Sequence, residues 1–125
     1  MARIIQTKNG HLTRQYFIQA EHVSIGRSAS NLIQLDEKII SAEHAEIFTE
    51  HDQFGNEIYF LMDLNSTNGT FINRNKVSCK QLKHKDRIRF GHQQFTFIND
   101  SELLENPDLE TLTWKNLIKY EKFSR

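Results

Sequence analysis

The sequence has 125 residues, which is the size of one folded domain, and its sixteen basic and sixteen acidic residues give a formal net charge of zero. That balance argues against a general nucleic-acid binder, and no apolar run approaches membrane-spanning length. The single cysteine, Cys79, cannot form an internal disulfide, and no secretory leader begins the chain. We therefore expect a soluble, cytoplasmic protein that binds neither nucleic acid nor membrane.

Short apolar stretches separated by turn residues run through the first hundred residues. The first two flank the turn signal Asn9-Gly10 and predict an opening hairpin. Because β-branched and aromatic residues supply the apolar positions, the pattern is typical of an all-β sandwich. The predicted strands cover residues 4–7, 15–18, 23–25, 32–35, 44–49, 58–63, 70–72, 87–90 and 94–98.

The pattern changes after Asp100. Asn106-Pro107 is a helix start, with asparagine as the cap and proline at the first helical position. Apolar residues then recur at roughly helical spacing, at Leu109, Leu112, Trp114, Leu117 and Ile118. The sequence thus predicts one domain over residues 1–99 and a C-terminal helical tail over residues 100–125, which packs on the sandwich or docks a partner.

Three loops between predicted strands, at Arg27, at Ser41 and at Asn68-Gly69, carry groups that suit a phosphorylated peptide. Arg27 follows the strand at 23–25, and its planar guanidinium can contact a phosphate dianion bidentately. Asn68-Gly69 is a tight turn at the rim of a sheet, where an amide can pair with an extended peptide backbone. No nucleophile–base pair or metal cluster accompanies these groups, so we expect a binding module rather than an enzyme, with no cofactor and no metal.

Four motifs in fixed order resemble the forkhead-associated (FHA) domain family. They are Ile25-Gly26-Arg27 and the segments at residues 40–47, 63–73 and 82–91, all within residues 23–98. The resemblance implies an eleven-stranded β-sandwich that recognises phosphothreonine peptides with the loops at one end. It also implies a role for each motif residue.

By that resemblance, Arg27 and Ser41 bind the phosphate, Thr67 lies at its far side, and Asn68 hydrogen-bonds the main chain of the ligand. Two neighbouring hydroxyls complete the expected peptide-binding set, those of Ser28 and Ser66. The expected structural supports are Gly26, Asp63, Gly69 and His44. In the family, this histidine ties the phosphate loop to the asparagine-glycine loop.

Some features allow other interpretations. A histidine three residues from Ser41 suggests a catalytic pair, but no acidic group that would orient His44 is apparent. Basic residues concentrate at residues 80–89, where a solvated strand edge is favoured over a nucleic-acid surface. Lys85 and Arg74 replace glycines common in the family, and we expect these changes to alter turn geometry rather than recognition.

The function predicted from the sequence is that of a phosphorylation-dependent adaptor in Ser/Thr kinase signalling. Its expected partner is a phosphothreonine-containing protein, with a Ser/Thr protein kinase acting upstream. Ala42 and Glu43 stand where the family often carries arginine or asparagine. These two residues favour the alternative, a protein-interaction scaffold that does not require phosphate.

Overall fold

The structure, a computed structural model, describes residues 1–101. The predicted helix that begins near Asn106 lies outside the described residues. Eleven strands lie within residues 1–101. They are β1 (Ala2–Lys8), β2 (His11–Phe17), β3 (His22–Gly26), β4 (Ile33–Gln34), β5 (Ala45–His51), β6 (Glu57–Asp63), β7 (Thr70–Ile72), β8 (Asn75–Val77), β9 (Cys79–Gln81), β10 (Arg87–Phe90) and β11 (Gln93–Asn99).

The strands form two sheets that pack face to face. The six-stranded sheet has the order β2-β1-β11-β10-β7-β8, and the five-stranded sheet has the order β4-β3-β5-β6-β9. All pairs are antiparallel except β3–β4, which is parallel. The predicted all-β sandwich with eleven strands is therefore confirmed. None of the described residues forms a helix long and apolar enough to cross a membrane.

Alternation along the strands separates the core from the surface. On β10, Ile88 and Phe90 are fully buried while Arg87 and Arg89 are exposed. Because side chains of a strand point to opposite faces, one face of this strand fills the core and the other meets water. Aromatic rings join the two sheets across the core: Tyr59 on β6 lies 5.6 Å from Phe97 on β11, measured between ring centroids.

The connection from β6 to β7 brings the candidate site together. β6 belongs to the five-stranded sheet and β7 to the six-stranded sheet, so residues 64–69 cross from one sheet to the other. The segment between β4 and β5, residues 35–44, lies against this crossing. The loops that carry the predicted binding residues are thus fixed to both sheets.

Candidate functional site

Arg27 is fixed at the end of β3 with its charged end directed outward. Its backbone N–H donates to the carbonyl of Ser41 at 2.9 Å, and its Nε donates to the carbonyl of Ile40, also at 2.9 Å. The side chain is exposed, and within residues 1–101 its two terminal nitrogens have no hydrogen-bond partner. The guanidinium is therefore held in one orientation while its outer edge stays open to a ligand.

Gly26 explains how Arg27 comes to lie beside Ser41. A Cβ at position 26 would meet the carbonyl oxygen of Ala42 at 2.3 Å, and the Nδ2 of Asn31 at 2.8 Å. The obstacle is backbone, which cannot move aside as a flexible side chain would. Only glycine permits this approach of the strand end to the loop. Asn31 then fastens the contact, since its Nδ2 donates to Ala42 O at 2.7 Å.

Two direct contacts connect the Ser41 loop to the Asn68 turn. The backbone N–H of Thr67 donates to Ser41 Oγ at 3.0 Å, and the Nδ2 of Asn68 donates to the carbonyl of Ile39 at 2.8 Å. Ser41 Oγ thus accepts one bond and keeps its own hydrogen for a ligand. For Asn68, the Oδ1 and the second Nδ2 hydrogen have no protein partner within residues 1–101.

The His44 side chain makes a further, buried connection between these loops. Its side chain is fully buried, and its Nδ1 accepts the backbone N–H of Ser41 at 3.1 Å. A nitrogen that accepts an amide hydrogen carries no proton, so the proton is on Nε2. Nε2 donates it to the carbonyl of Gly69 at 2.9 Å. The ring also lies edge-on to Phe90, with 5.7 Å between centroids.

Asp63 organises the crossing loop. Its carboxylate accepts the hydroxyls of Ser66 at 2.5 Å and Thr70 at 2.7 Å, and the backbone N–H of Ser66 at 3.0 Å. Partial burial opposes ionisation of the carboxyl group, but these three hydrogen bonds outweigh it and hold the pKa of Asp63 below its ordinary value. The loop is therefore built around an ionised aspartate.

Ser66 has a clear role within that loop. Its hydroxyl hydrogen goes to Asp63, and its Oγ accepts the backbone N–H of Gly69 at 3.0 Å. Gly69 itself has a φ of +89°, which glycine adopts without strain. The expected contact between Ser66 and a peptide stays a prediction. Ser28 is similarly engaged nearby, with its hydroxyl 3.0 Å from that of Ser30.

These contacts leave a shallow depression of about 300 Å³ at the loop end of the sandwich. It is lined by Arg27, Lys38, Ile39, Ile40, Ser41, Ala42, Thr67 and Asn68. The structure thus brings together the four principal predicted residues, while Ser28 and Ser66 lie outside the lining. Glu43 does not line the depression either, so among residues 1–101 the only charged groups in the lining are the cations of Arg27 and Lys38.

Sequence reasoning missed Lys38. An exposed lysine in a loop follows no periodicity, and the only signal was its place three residues before Ser41. Within residues 1–101, the Lys38 ammonium has no ion-pair partner. It therefore adds a second positive charge to the lining of the depression, beside that of Arg27.

Comparison with known proteins finds regulatory proteins that are similar to this chain. The chain is 28% identical over 101 residues to the oxoglutarate dehydrogenase inhibitor of Corynebacterium jeikeium, covering 81% of this chain and 67% of that protein. It is 26% identical over 97 residues to the glycogen accumulation regulator GarA of Mycobacterium tuberculosis, covering 78% of this chain and 57% of GarA.

A solved domain is similar in both sequence and structure. It comes from a structural and functional analysis of phosphothreonine-dependent FHA domain interactions, and it shares 31% identity with a TM-score of 0.66. The match covers 79% of this chain and 97% of that domain. The family model for the FHA domain matches residues 23–91, more than half of the sequence. The chain therefore belongs to the FHA domain family.

Proposed function

We propose that this protein binds phosphothreonine-containing segments of a partner and acts as an adaptor downstream of a Ser/Thr protein kinase. The observation that carries the proposal is that Arg27 is held in one orientation with its terminal nitrogens open to a ligand. Its Nε is anchored to Ile40, and its terminal nitrogens face a depression to which the described part of the chain contributes no acidic side chain. A preorganised guanidinium loses little conformational entropy when it binds, and its fork matches two phosphate oxygens.

The remaining groups of the depression complement a phosphothreonine. A phosphothreonine carries roughly −1.5 to −2 charges at neutral pH, which the cations of Arg27 and Lys38 would balance. The Ser41 hydroxyl donates its free hydrogen to a phosphate oxygen, and the Thr67 hydroxyl approaches from the opposite side. Asn68 then offers its Oδ1 and one amide hydrogen to the peptide main chain.

A binding role also follows from how Ser41 and His44 are connected. His44 Nδ1 accepts the backbone N–H of Ser41, not its hydroxyl, and Nε2 is committed to Gly69. Neither imidazole nitrogen is free to remove a proton from Ser41 Oγ, as nucleophilic catalysis would require. We accordingly propose that His44 supports the site and that the protein is not an enzyme.

The relatives support a regulatory setting. The corynebacterial protein is an inhibitor of oxoglutarate dehydrogenase and the mycobacterial one a regulator of glycogen accumulation, as their names state. We propose that this chain likewise acts by binding another protein. Since the match spans 57% of GarA, the targets of such whole proteins are not transferred to this chain.

The test is calorimetric titration of one phosphothreonine peptide, selected from a degenerate library, into the wild type and Arg27→Ala. We expect Arg27→Ala to weaken binding by roughly a hundredfold or more, because it removes one partner of a charge-assisted pair. The matched control is Arg14→Ala, which removes an exposed arginine of β2 outside the depression. Circular dichroism should show that both variants are folded.

Variation of the peptide separates the proposed function from its alternative. The unphosphorylated peptide and its aspartate version should bind far more weakly, since a carboxylate lacks the charge and the tetrahedral oxygens of phosphate. Equal affinity for the phosphorylated and unphosphorylated peptides would instead identify a phosphate-independent scaffold. Equal affinity of Arg27→Ala and the wild type would refute the assigned site.

A further inference from the structure

A second basic surface lies on the outer face of the six-stranded sheet, around β10. It is a groove of about 520 Å³ lined by Asn73, Arg74, Lys85, Arg87, Ile88, Arg89 and Gln94. Four of these seven residues are cationic and none is acidic. It shares no residue with the depression at Arg27. Because the chain has a formal net charge of zero, this concentration of positive charge is local to the groove.

Two of the cations occupy backbone positions that disfavour them. Arg74, in the turn between β7 and β8, has a φ of 75°, and Lys85, in the turn before β10, has a φ of 76°. Residues with a side chain rarely adopt this left-handed conformation, which glycine adopts without strain. The sequence nevertheless places a long basic side chain at both turns, and both reach the same groove.

Asn73 holds these two turns side by side. Its backbone N–H donates to the carbonyl of Arg87 at 2.8 Å, and its Oδ1 accepts the N–H of Arg87 at 2.9 Å. Its Nδ2 donates to Asp86 at 2.9 Å. The other carboxylate oxygen of Asp86 accepts the N–H of Lys83 at 2.8 Å. The Asp86 carboxylate is therefore used within the turns and does not line the groove.

The arginines of β10 are arranged for an anionic ligand. Arg89 stacks on the ring of Phe71 at 4.1 Å and donates to the carbonyl of Gly91 at 3.0 Å, which fixes its position. Within residues 1–101, the guanidinium groups of Arg74 and Arg87 have neither an ion-pair partner nor a hydrogen-bond acceptor. The exposed charges of Arg74 and Arg87 therefore repel each other within one groove, and an acidic ligand relieves that repulsion.

We propose that this groove binds an acidic, aspartate- and glutamate-rich segment of a protein partner, independently of the phosphothreonine site. A protein segment fits better than nucleic acid for two reasons. The chain has no net positive charge to attract a phosphate backbone at long range. The face of Phe71, an aromatic ring against which a base would stack, is covered by Arg89.

The test is an NMR titration with a synthetic peptide of alternating glutamate and glycine. We expect amide shifts at Arg74, Arg87 and Gln94, and an affinity that falls as salt is raised. Arg74→Gly combined with Arg87→Gln should weaken binding by roughly tenfold, as expected for loss of two exposed charges. The matched control is Lys80→Gln, an exposed strand lysine of β9 that does not line the groove.

Arg74→Gly is a useful variant because glycine suits the observed φ, so the folded state should tolerate it. Arg87→Gln alone, which leaves the turn unchanged, should still weaken binding severalfold. Three results would overturn the inference: unchanged affinity of both groove variants, peptide-induced shifts confined to the Arg27 loops, or tighter binding of oligothymidine than of the acidic peptide. The acidic-peptide titration is repeated with Arg27→Ala. Because the groove is proposed to act independently of the phosphothreonine site, the affinity for the acidic peptide should not change, whatever the result of the phosphothreonine titration.

Discussion

At the residue scale, the chemistry of the site restricts the choice of side chain most strongly at position 44, which is occupied by His44. The site needs one side chain that accepts a hydrogen bond from Ser41 and donates another to Gly69 on the far side of a planar ring. Neutral imidazole has one nitrogen of each kind. The ring must also be apolar enough to fill a fully buried position against Phe90. Histidine satisfies all three requirements, and its role follows from burial and bonding.

We predict that His44→Ala lowers stability first and binding second. The substitution leaves a cavity and leaves the Ser41 N–H and the Gly69 carbonyl without their hydrogen-bond partner. We expect the free energy of unfolding to fall by about 2–4 kcal/mol. Thermal unfolding followed by circular dichroism measures that loss. The affinity for a phosphothreonine peptide should fall only as far as the loops loosen.

The contrasting variant is Arg27→Ala, which we expect to lose binding with little change in melting temperature. A His44→Ala protein that melted like the wild type, kept its loop amide shifts and yet bound no peptide would make His44 a direct ligand contact. The proposed supporting role would then be wrong.

At the scale of elements, the loop between β6 and β7 depends on the charge of Asp63. The pKa of Asp63 lies below its ordinary value of 3.8, because the bonds from Ser66 and Thr70 outweigh burial. A carboxyl group with a lowered folded-state pKa stabilises the fold above its ordinary pKa. That contribution is lost as pH falls through the lower folded value. The loop therefore resists acid until Asp63 takes up a proton.

We predict that Asp63→Asn is less stable at neutral pH by about 1–3 kcal/mol, because an amide cannot accept all three hydrogen bonds. It should also lose less stability than the wild type on going down to about pH 3. Urea denaturation at both pH values measures this difference.

Asp52→Asn is the matched control, since the pKa of Asp52 is also lowered, chiefly by the backbone N–H of Asn56, in a hairpin that does not line the depression. Both variants should show a weaker acid response, but only Asp63→Asn should weaken phosphopeptide binding. Equal peptide binding by both variants would show that the carboxylate does not organise the site.

The elements also show what the sequence could predict. β10 alternates exposed and buried residues, and the first four residues of β5 alternate buried and half-buried ones. Each of the nine strands predicted from sequence overlaps an observed one. β8 and β9 were missed because each has three mostly exposed residues, and only their pairing defines them: β8 pairs with β7 across a two-residue turn, and β9 pairs with β6. The groove was missed because its residues come from separate segments: Asn73 bonds to Arg87 and so holds the β7–β8 turn beside β10, which places Arg74 and Arg87 in one groove.

At the scale of the whole molecule, the site exists only when both sheets are assembled. Arg27 and the segment at residues 35–44, which carries Ser41 and His44, belong to the five-stranded sheet. The loop that carries Thr67 and Asn68 enters the six-stranded sheet at β7. His44 then connects the loops from within the core. A ligand held by both groups of residues binds the native sandwich and not the unfolded chain. Binding must therefore stabilise the entire fold.

We predict that a phosphothreonine peptide at about a hundred times its dissociation constant stabilises the protein by about 2.7 kcal/mol. For a domain of this size, that corresponds to roughly 10–20 °C in melting temperature. Thermal unfolding with and without peptide measures the shift, and hydrogen exchange should slow in both sheets together. Arg27→Ala should melt like the free wild type and show no shift. Protection confined to the loops, with the melting temperature unchanged, would mean that the ligand does not connect the two sheets.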